Sequence, residues 1–172
     1  MAVEEGNAVP VRDTGLRKLI ALGMFVAICF AISAISGAIT ATSVATWYPQ
    51  LTKPAFNPPD WVFAPVWTSL YLMIAISGWR IWLQPESPAR AIAMRVYAVQ
   101  LCTNLGWSAA FFGITSVLAG LIVMPVLLAV VLLNLLAFWR IDRWAGLLLT
   151  PYLAWVGFAA VLNTAIWLLN PQ

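Results

Sequence analysis

The chain has 172 residues, of which 63% are hydrophobic and 9% charged; its mean hydropathy is +0.91 and its formal net charge +3. That balance excludes an ordinary water-soluble domain and points to membrane-spanning helices, each needing about 20 apolar residues to cross a hydrocarbon core of about 30 Å. With no histidine anywhere, an imidazole general base, a Ser-His-Asp relay and a proximal haem ligand are excluded, and no basic cluster marks a nucleic-acid partner.

Residues 1–15 read as a polar tail, followed by a membrane domain over 16–170. The first span covers about Leu16–Thr40. Arg12, Arg17 and Lys18 precede it and Ser43-Val44-Ala45 loosely resembles a cleavage site. The apolar run is longer than the 7–15 residues of a signal-peptide core, so it reads as an anchor.

The segment WYPQLTKPAFNPPDWVFAPVWTSLY, from Trp47 to Tyr71, follows. It holds Pro49, Pro54, Pro58, Pro59 and Pro65 together with three tryptophans and two tyrosines. Proline fixes its own φ and drives the preceding residue out of the helical region, so this stretch is not one continuous helix. Indole and phenol rings, each apolar with one polar tip, suit a membrane–water boundary, and the segment reads as a stiff lid.

The second span, about Ala64–Leu83, aligns Trp67, Tyr71, Ile74 and Gly78 on one stripe. The third, about Ala91–Phe112, has two faces. Ala98, Cys102, Gly106 and Ala110 form a small-residue ridge suited to close helix approach, either in a homodimer or within one subunit. Tyr97, Gln100, Asn104, Trp107 and Phe111 lie on the other side, either lining a pocket or bonding helices together. The fourth span, about Val117–Trp139, carries Pro125 and Asn134. The fifth, about Trp144–Leu169, aligns Tyr152, Trp155, Ala159, Leu162 and Asn163, with Ala159 leaving room below Trp155 for a planar guest. Trp79, Trp82, Trp139, Trp144 and Trp167 sit near span ends and read as interfacial anchors.

The joints Gln84–Arg90, Gly113–Ser116 and Arg140–Arg143 are short enough to force antiparallel neighbours. The expected fold is therefore an all-α integral membrane bundle of five transmembrane helices, with the Pro/Trp-rich loop between the first two. Of the nine Lys and Arg residues, all but Lys53 fall on the side of the tail. That asymmetry predicts a cytoplasmic N-terminus and a loop on the opposite side of a multi-pass protein. It gives sidedness only; a bacterial cell membrane is a separate expectation.

Few side chains are left to carry chemistry. The carboxylates Glu4, Glu5, Asp13, Asp60, Glu86 and Asp142 all lie at or outside the interfaces, which argues against a proton relay or an ordinary pump. Phosphate and dinucleotide fingerprints are lacking, as is any metal-ligand spacing, so no cofactor and no metal are expected. Cys29 and Cys102 stand alone inside spans and read as buried small apolar residues.

On the Trp47–Tyr71 block, on QLCTNLGWSAAFFG in the third span and on WAGLLLTPYLAWVGFAAVLN in the fifth, the chain resembles the tryptophan-rich sensory protein / translocator protein family (TspO/MBR, peripheral-type benzodiazepine receptor). The likeness runs from about Arg17 to Asn170. It implies a five-helix bundle, commonly a homodimer, with a cavity closed by the first loop. It also implies binding of porphyrins such as protoporphyrin IX, and in many members of cholesterol or benzodiazepine-type drugs. Carried over by position, the ligand site comprises Trp47, Tyr48, Trp67, Tyr71, Asn104, Trp107, Trp155 and Ala159, with Asn163 nearby. Two departures stand out. Ala55 and Phe56 replace tryptophans common in the family's loop. Thr164 and Leu168 replace the tyrosine and basic residue of the animal sterol motif, itself a weak pattern.

Three functional readings follow: a porphyrin-binding sensor or carrier, a light-dependent porphyrin-degrading protein, and a transporter or assembly partner. The second has no conventional catalytic residue; Trp67 and Trp155 would be its photochemical electron donors or oxidation targets.

Overall fold

A computed structural model describes residues 14–171. Among these residues, helix α1 spans Thr14–Thr46, α2 Phe63–Trp82, α3 Pro88–Ser108, α4 Val117–Ile141, α5 Arg143–Leu148 and α6 Thr150–Leu169. The expected polar tail lies outside the described residues except for Thr14 and Gly15, which open α1.

Among the described residues, four segments are long and apolar enough to cross a membrane: Gly15–Thr46, Asp60–Trp82, Val117–Ile141 and Arg143–Leu169. Helix α3 is long enough at 21 residues, but Arg90, Arg95, Gln100 and Asn104 dilute its apolar character. The molecule is an all-helical, multi-pass integral membrane protein.

Local chemistry sets the helix ends. The chain leaves α1 at Trp47-Tyr48-Pro49, and residues 47–62 form no α-helix; only two 3₁₀ turns occur there, Tyr48–Gln50 and Asp60–Val62. Helix α3 starts at an N-cap, with Ser87 Oγ accepting from the Arg90 amide at 3.1 Å and Pro88 in the first turn, where its missing N–H costs nothing. Ser116 caps α4 in the same way through the Ala119 amide.

Two expectations are corrected. The third span does not stay α-helical to Phe112: from Ala109 to Gly113 it widens into a π-turn, which turns Phe111 and Phe112 inward together. The fifth span is not one helix. Asp142 Oδ1 accepts from the amides of Trp144 and Ala145 and starts α5, and α6 begins afresh at Thr150. Pro151 has no N–H to give the Leu147 carbonyl, which instead accepts from the Thr150 hydroxyl. Pro125, by contrast, sits on the exposed face of α4 without ending it.

Close crossings tie the end near Arg80 together. A Cβ on Gly146 would lie 2.8 Å from the Trp139 Cα, so α5 folds back directly onto α4. Ser77 Oγ donates to the Ala145 carbonyl at 2.7 Å, and Arg80 Nε donates to Asp142 Oδ2 at 2.8 Å. At the same end the Trp79 indole donates to the Lys18 carbonyl, so it joins α2 to α1 instead of serving as a free anchor. Trp82, Trp139, Trp144 and Trp167 are exposed at helix ends, as anchors should be.

Candidate functional site: an aromatic-walled double chamber

The three inward stripes meet. Trp67 and Tyr71 of α2 face Asn104 and Trp107 of α3, and Tyr152 of α6 closes the set, its ring 6.4 Å from that of Trp67. A polar cluster lies beneath the rings. Asn104 Nδ2 donates to the Tyr152 hydroxyl oxygen at 2.6 Å, and Gln100 Nε2 donates to the same oxygen at 3.2 Å. Asn134 Nδ2 donates to Gln100 Oε1 at 3.3 Å, while the Tyr71 hydroxyl reaches Asn104 Oδ1 at 3.5 Å. All five side chains are buried, so each bond spares an amide or hydroxyl from an apolar surrounding.

Two cavities flank this frame. The larger, about 400 Å³, lies between the second half of α1, the first half of α2 and the end of α3. The smaller, about 70 Å³, lies against α6 between Trp155, Ala159 and Ile166. Tyr48, Phe63, Trp67, Trp107 and Phe112 line both, so one aromatic partition separates two chambers.

Tyr48, from the 47–62 segment, is the buried top of that partition. Its hydroxyl donates to Asn57 Oδ1 at 3.0 Å, and Lys53 Nζ lies 4.5 Å from its ring centroid. Burial, with the nearby Asp60 charge second, pushes its pKa up to about 12. Asn170, at the end of α6, holds the segment down by accepting from the Thr52 amide and donating to the Thr52 carbonyl, both at 2.9 Å.

Of the nine residues expected at a ligand site, Tyr48, Trp67, Tyr71, Asn104 and Trp107 line the larger chamber. Trp155, Ala159 and Asn163 line only the smaller. Trp47 lines neither; its ring packs edge-on against Phe111 at 5.5 Å. Asn163 is committed to structure. With its amide oriented so that nitrogen faces the Val117 carbonyl (3.2 Å) and oxygen faces the Leu121 amide (3.1 Å), it clamps the start of α4. Gln100, one turn below Asn104, lines neither chamber and bonds α3 to α4 and α6.

The ridge residues Ala98, Cys102 and Gly106 are exposed on the outer face of α3, and Ala110 is half-buried. A Cβ on Gly106 would meet nothing within 4 Å. At Ala98, Cys102 and Gly106 the ridge therefore does not serve packing within the subunit. Cys102 is correspondingly exposed and not buried, whereas Cys29 is buried with Sγ 3.2 Å from the Tyr97 hydroxyl.

Sequence reading took the first span only as an anchor and missed the α1 wall. Ser33, Gly37, Thr40 and Val44 line the larger chamber at i, i+4, i+7 and i+11, the same stripe spacing that marks α2. Small and hydroxyl residues at that spacing in an otherwise bulky span were the available signal.

Helical crossings around an aromatic double chamber define a class: polytopic membrane proteins with an internal cavity walled by aromatic rings. The chain belongs to the TspO/MBR family, whose model matches residues 25–168. It is 39% identical over 159 residues to the tryptophan-rich protein TspO of Chlorobaculum tepidum, covering 90% of this chain and 99% of that one. It is 40% identical over 124 residues to the tryptophan-rich sensory protein of Cereibacter sphaeroides, covering 72% and 77%. With the translocator protein of Sus scrofa it shares 35% over 123 residues, covering 70% and 73%.

Proposed function

We propose that this chain binds flat hydrophobic ligands of the porphyrin class, protoporphyrin IX among them, as a membrane sensor or carrier. The observation that carries the reading is the larger chamber, in which Trp67, Trp107 and Phe112 offer ring faces while Asn104 and Tyr71 offer polar groups at the floor. A planar macrocycle with polar edges matches that division: stacking area on one side, hydrogen bonding on the other. Trp107 adds a spare donor, because its Nε1 is buried without a partner among the described residues.

The loop lies outside and the N-terminus in the cytoplasm, in keeping with the bias of basic residues toward the end that holds Arg80, Arg140 and Arg143. Helix α3 is the remaining crossing, giving five, with Gln100 and Asn104 shielded inside the bundle. Two copies pair through the exposed small-residue ridge of α3, centred on Gly106.

Light-dependent breakdown of the bound pigment is the second reading. It is favoured by the Trp67 ring lying 5.7 Å from Tyr71, in a relay of oxidisable rings beside the chamber.

Titration of the purified protein in detergent with protoporphyrin IX in the dark, followed by tryptophan fluorescence, tests the binding. Saturable quenching at about one porphyrin per chain, weakened by Asn104→Ala, is expected. Quenching that never saturates, or that ignores Asn104→Ala, refutes the site. Illumination of the complex then separates binding from breakdown by loss of porphyrin absorbance.

A further inference from the structure

Helix α1 leans. Its first half packs on α2 and α3: Trp79 Nε1 donates to the Lys18 carbonyl at 2.9 Å, and Cys29 Sγ meets the Tyr97 hydroxyl at 3.2 Å. Its second half turns to the end of α3 instead. There Ser43 Oγ donates to the Phe112 carbonyl at 2.6 Å, and Ile39 Cγ2 would lie 3.2 Å from a Cβ on Gly113. Between that half of α1 and the antiparallel start of α2 the helices part, and the larger chamber fills the gap.

The gap reaches the outside of the bundle. Gly37 and Val44 of α1 and Ala64 and Thr68 of α2 line the chamber and are exposed. From Ser33 to Val44 the mouth is about 17 Å tall at 1.5 Å per residue. It is cut into two segments apolar enough to span a membrane, Gly15–Thr46 and Asp60–Trp82, so it opens onto lipid. The two threonine hydroxyls at the mouth are turned back on their own helices: Thr40 Oγ1 donates to the Gly37 carbonyl and Thr68 Oγ1 to the Ala64 carbonyl.

The aqueous end is built differently. Tyr48 is buried there and bonded to Asn57, and the segment above is held to Asn170 by two hydrogen bonds. The rim at this end carries the Asp60 carboxylate, which forms no ion pair among the described residues. A bare carboxylate repels an anionic ligand and holds water that an apolar one would have to displace.

We propose that the larger chamber is loaded sideways, from the bilayer through the cleft between α1 and α2, so that its ligand is a molecule already dissolved in the membrane. The proposal rests on the binding of a porphyrin-class ligand in that chamber and adds the route. Lateral loading puts control of uptake at Gly37, where a Cβ meets nothing within 4 Å and a larger side chain would project at the mouth.

The test reconstitutes the full chain in liposomes and follows tryptophan quenching after mixing with vesicles preloaded with protoporphyrin IX. Gly37→Phe is expected to slow association about tenfold, while Asn170→Ala, which loosens the aqueous cover, changes it by less than about twofold. Unchanged uptake in Gly37→Phe with faster uptake in Asn170→Ala overturns the lateral route and leaves the binding reading intact. An independent measurement uses Gly37→Cys in a Cys102→Ser background. An uncharged pyrene maleimide dissolved in the bilayer should label it, and a charged methanethiosulfonate in the water phase should not; labelling by the charged reagent alone overturns the route even where no porphyrin binds.

Discussion

Tyr152→Phe removes one oxygen from the centre of the polar cluster and nothing else of its shape. That oxygen accepts from Asn104 Nδ2 at 2.6 Å and from Gln100 Nε2 at 3.2 Å, and the residue is fully buried. Interhelical hydrogen bonds inside membrane proteins average about 0.6 kcal/mol and reach about 1.7. A buried donor left with no acceptor costs about 1–3 kcal/mol. The Phe ring keeps its edge contact with Trp67, so no cavity term is added. Two donors stranded near the low end of that range give a loss of about 2 kcal/mol. Asn104 also loses its shortest tether, so protoporphyrin IX affinity should fall by a factor of about 3–10, corresponding to about 0.7–1.4 kcal/mol. Unfolding by SDS titration of the reconstituted protein reads the first effect and dark fluorescence titration the second. A cycle with Asn104→Ala should give a coupling energy of about 1 kcal/mol. A stability loss below about 0.5 kcal/mol with no coupling would refute the claim that this oxygen organises the chamber floor.

Gly106→Leu should convert the proposed dimer to a monomer by light scattering in detergent while leaving porphyrin affinity within about twofold, because Gly106 lines neither chamber and a Cβ there meets nothing within 4 Å. Asp142→Ala removes both the α5 cap and the partner of Arg80, and should cost about 1–2 kcal/mol; Asp142→Asn, which keeps a capping oxygen, should recover about half of that in the same SDS titration. The Tyr48 phenol, held near 12 by burial and the Asp60 charge, keeps its proton after an unfolded chain has lost its own near 10. Its contribution to stability is therefore complete below about pH 10 and is lost as pH climbs through about 12. The absorbance difference at 295 nm between the wild type and Tyr48→Phe should show this late titration, and a midpoint near 10 would refute it.

The order of helices and their inward faces were legible because each rests on a periodic pattern. Trp67, Tyr71, Ile74 and Gly78 recur at helical spacing and all point inward, as do Tyr97, Gln100 and Asn104. Breaks were less legible. Pro151 follows a long apolar run, and nothing in hydropathy alone tells whether a proline will be absorbed on an exposed face, as Pro125 is, or will split a helix, as Pro151 does. The π-turn at Ala109–Gly113 has no periodic signature, since it inserts its extra residue where the apolar pattern is already continuous.

For the site, the sequence marked which residues converge but not how they divide the space. Trp67, Trp107 and Trp155 all sit on inward stripes, yet Trp155 belongs to the small chamber and packs there on Phe158 and Phe63 at 5.5 and 5.9 Å. That division depends on ring rotamers in the shared partition, which no spacing encodes. The α1 wall is hidden for a different reason. Ser33, Gly37 and Thr40 leave space, and space made by small residues leaves no trace in a hydropathy profile. The chamber lies where α1 has small residues, α2 has large ones and the two helices have parted. Its bulk comes from the second span, its volume from the first. A mouth facing lipid follows from the same asymmetry, because the parted edge of the bundle is the edge that meets the membrane.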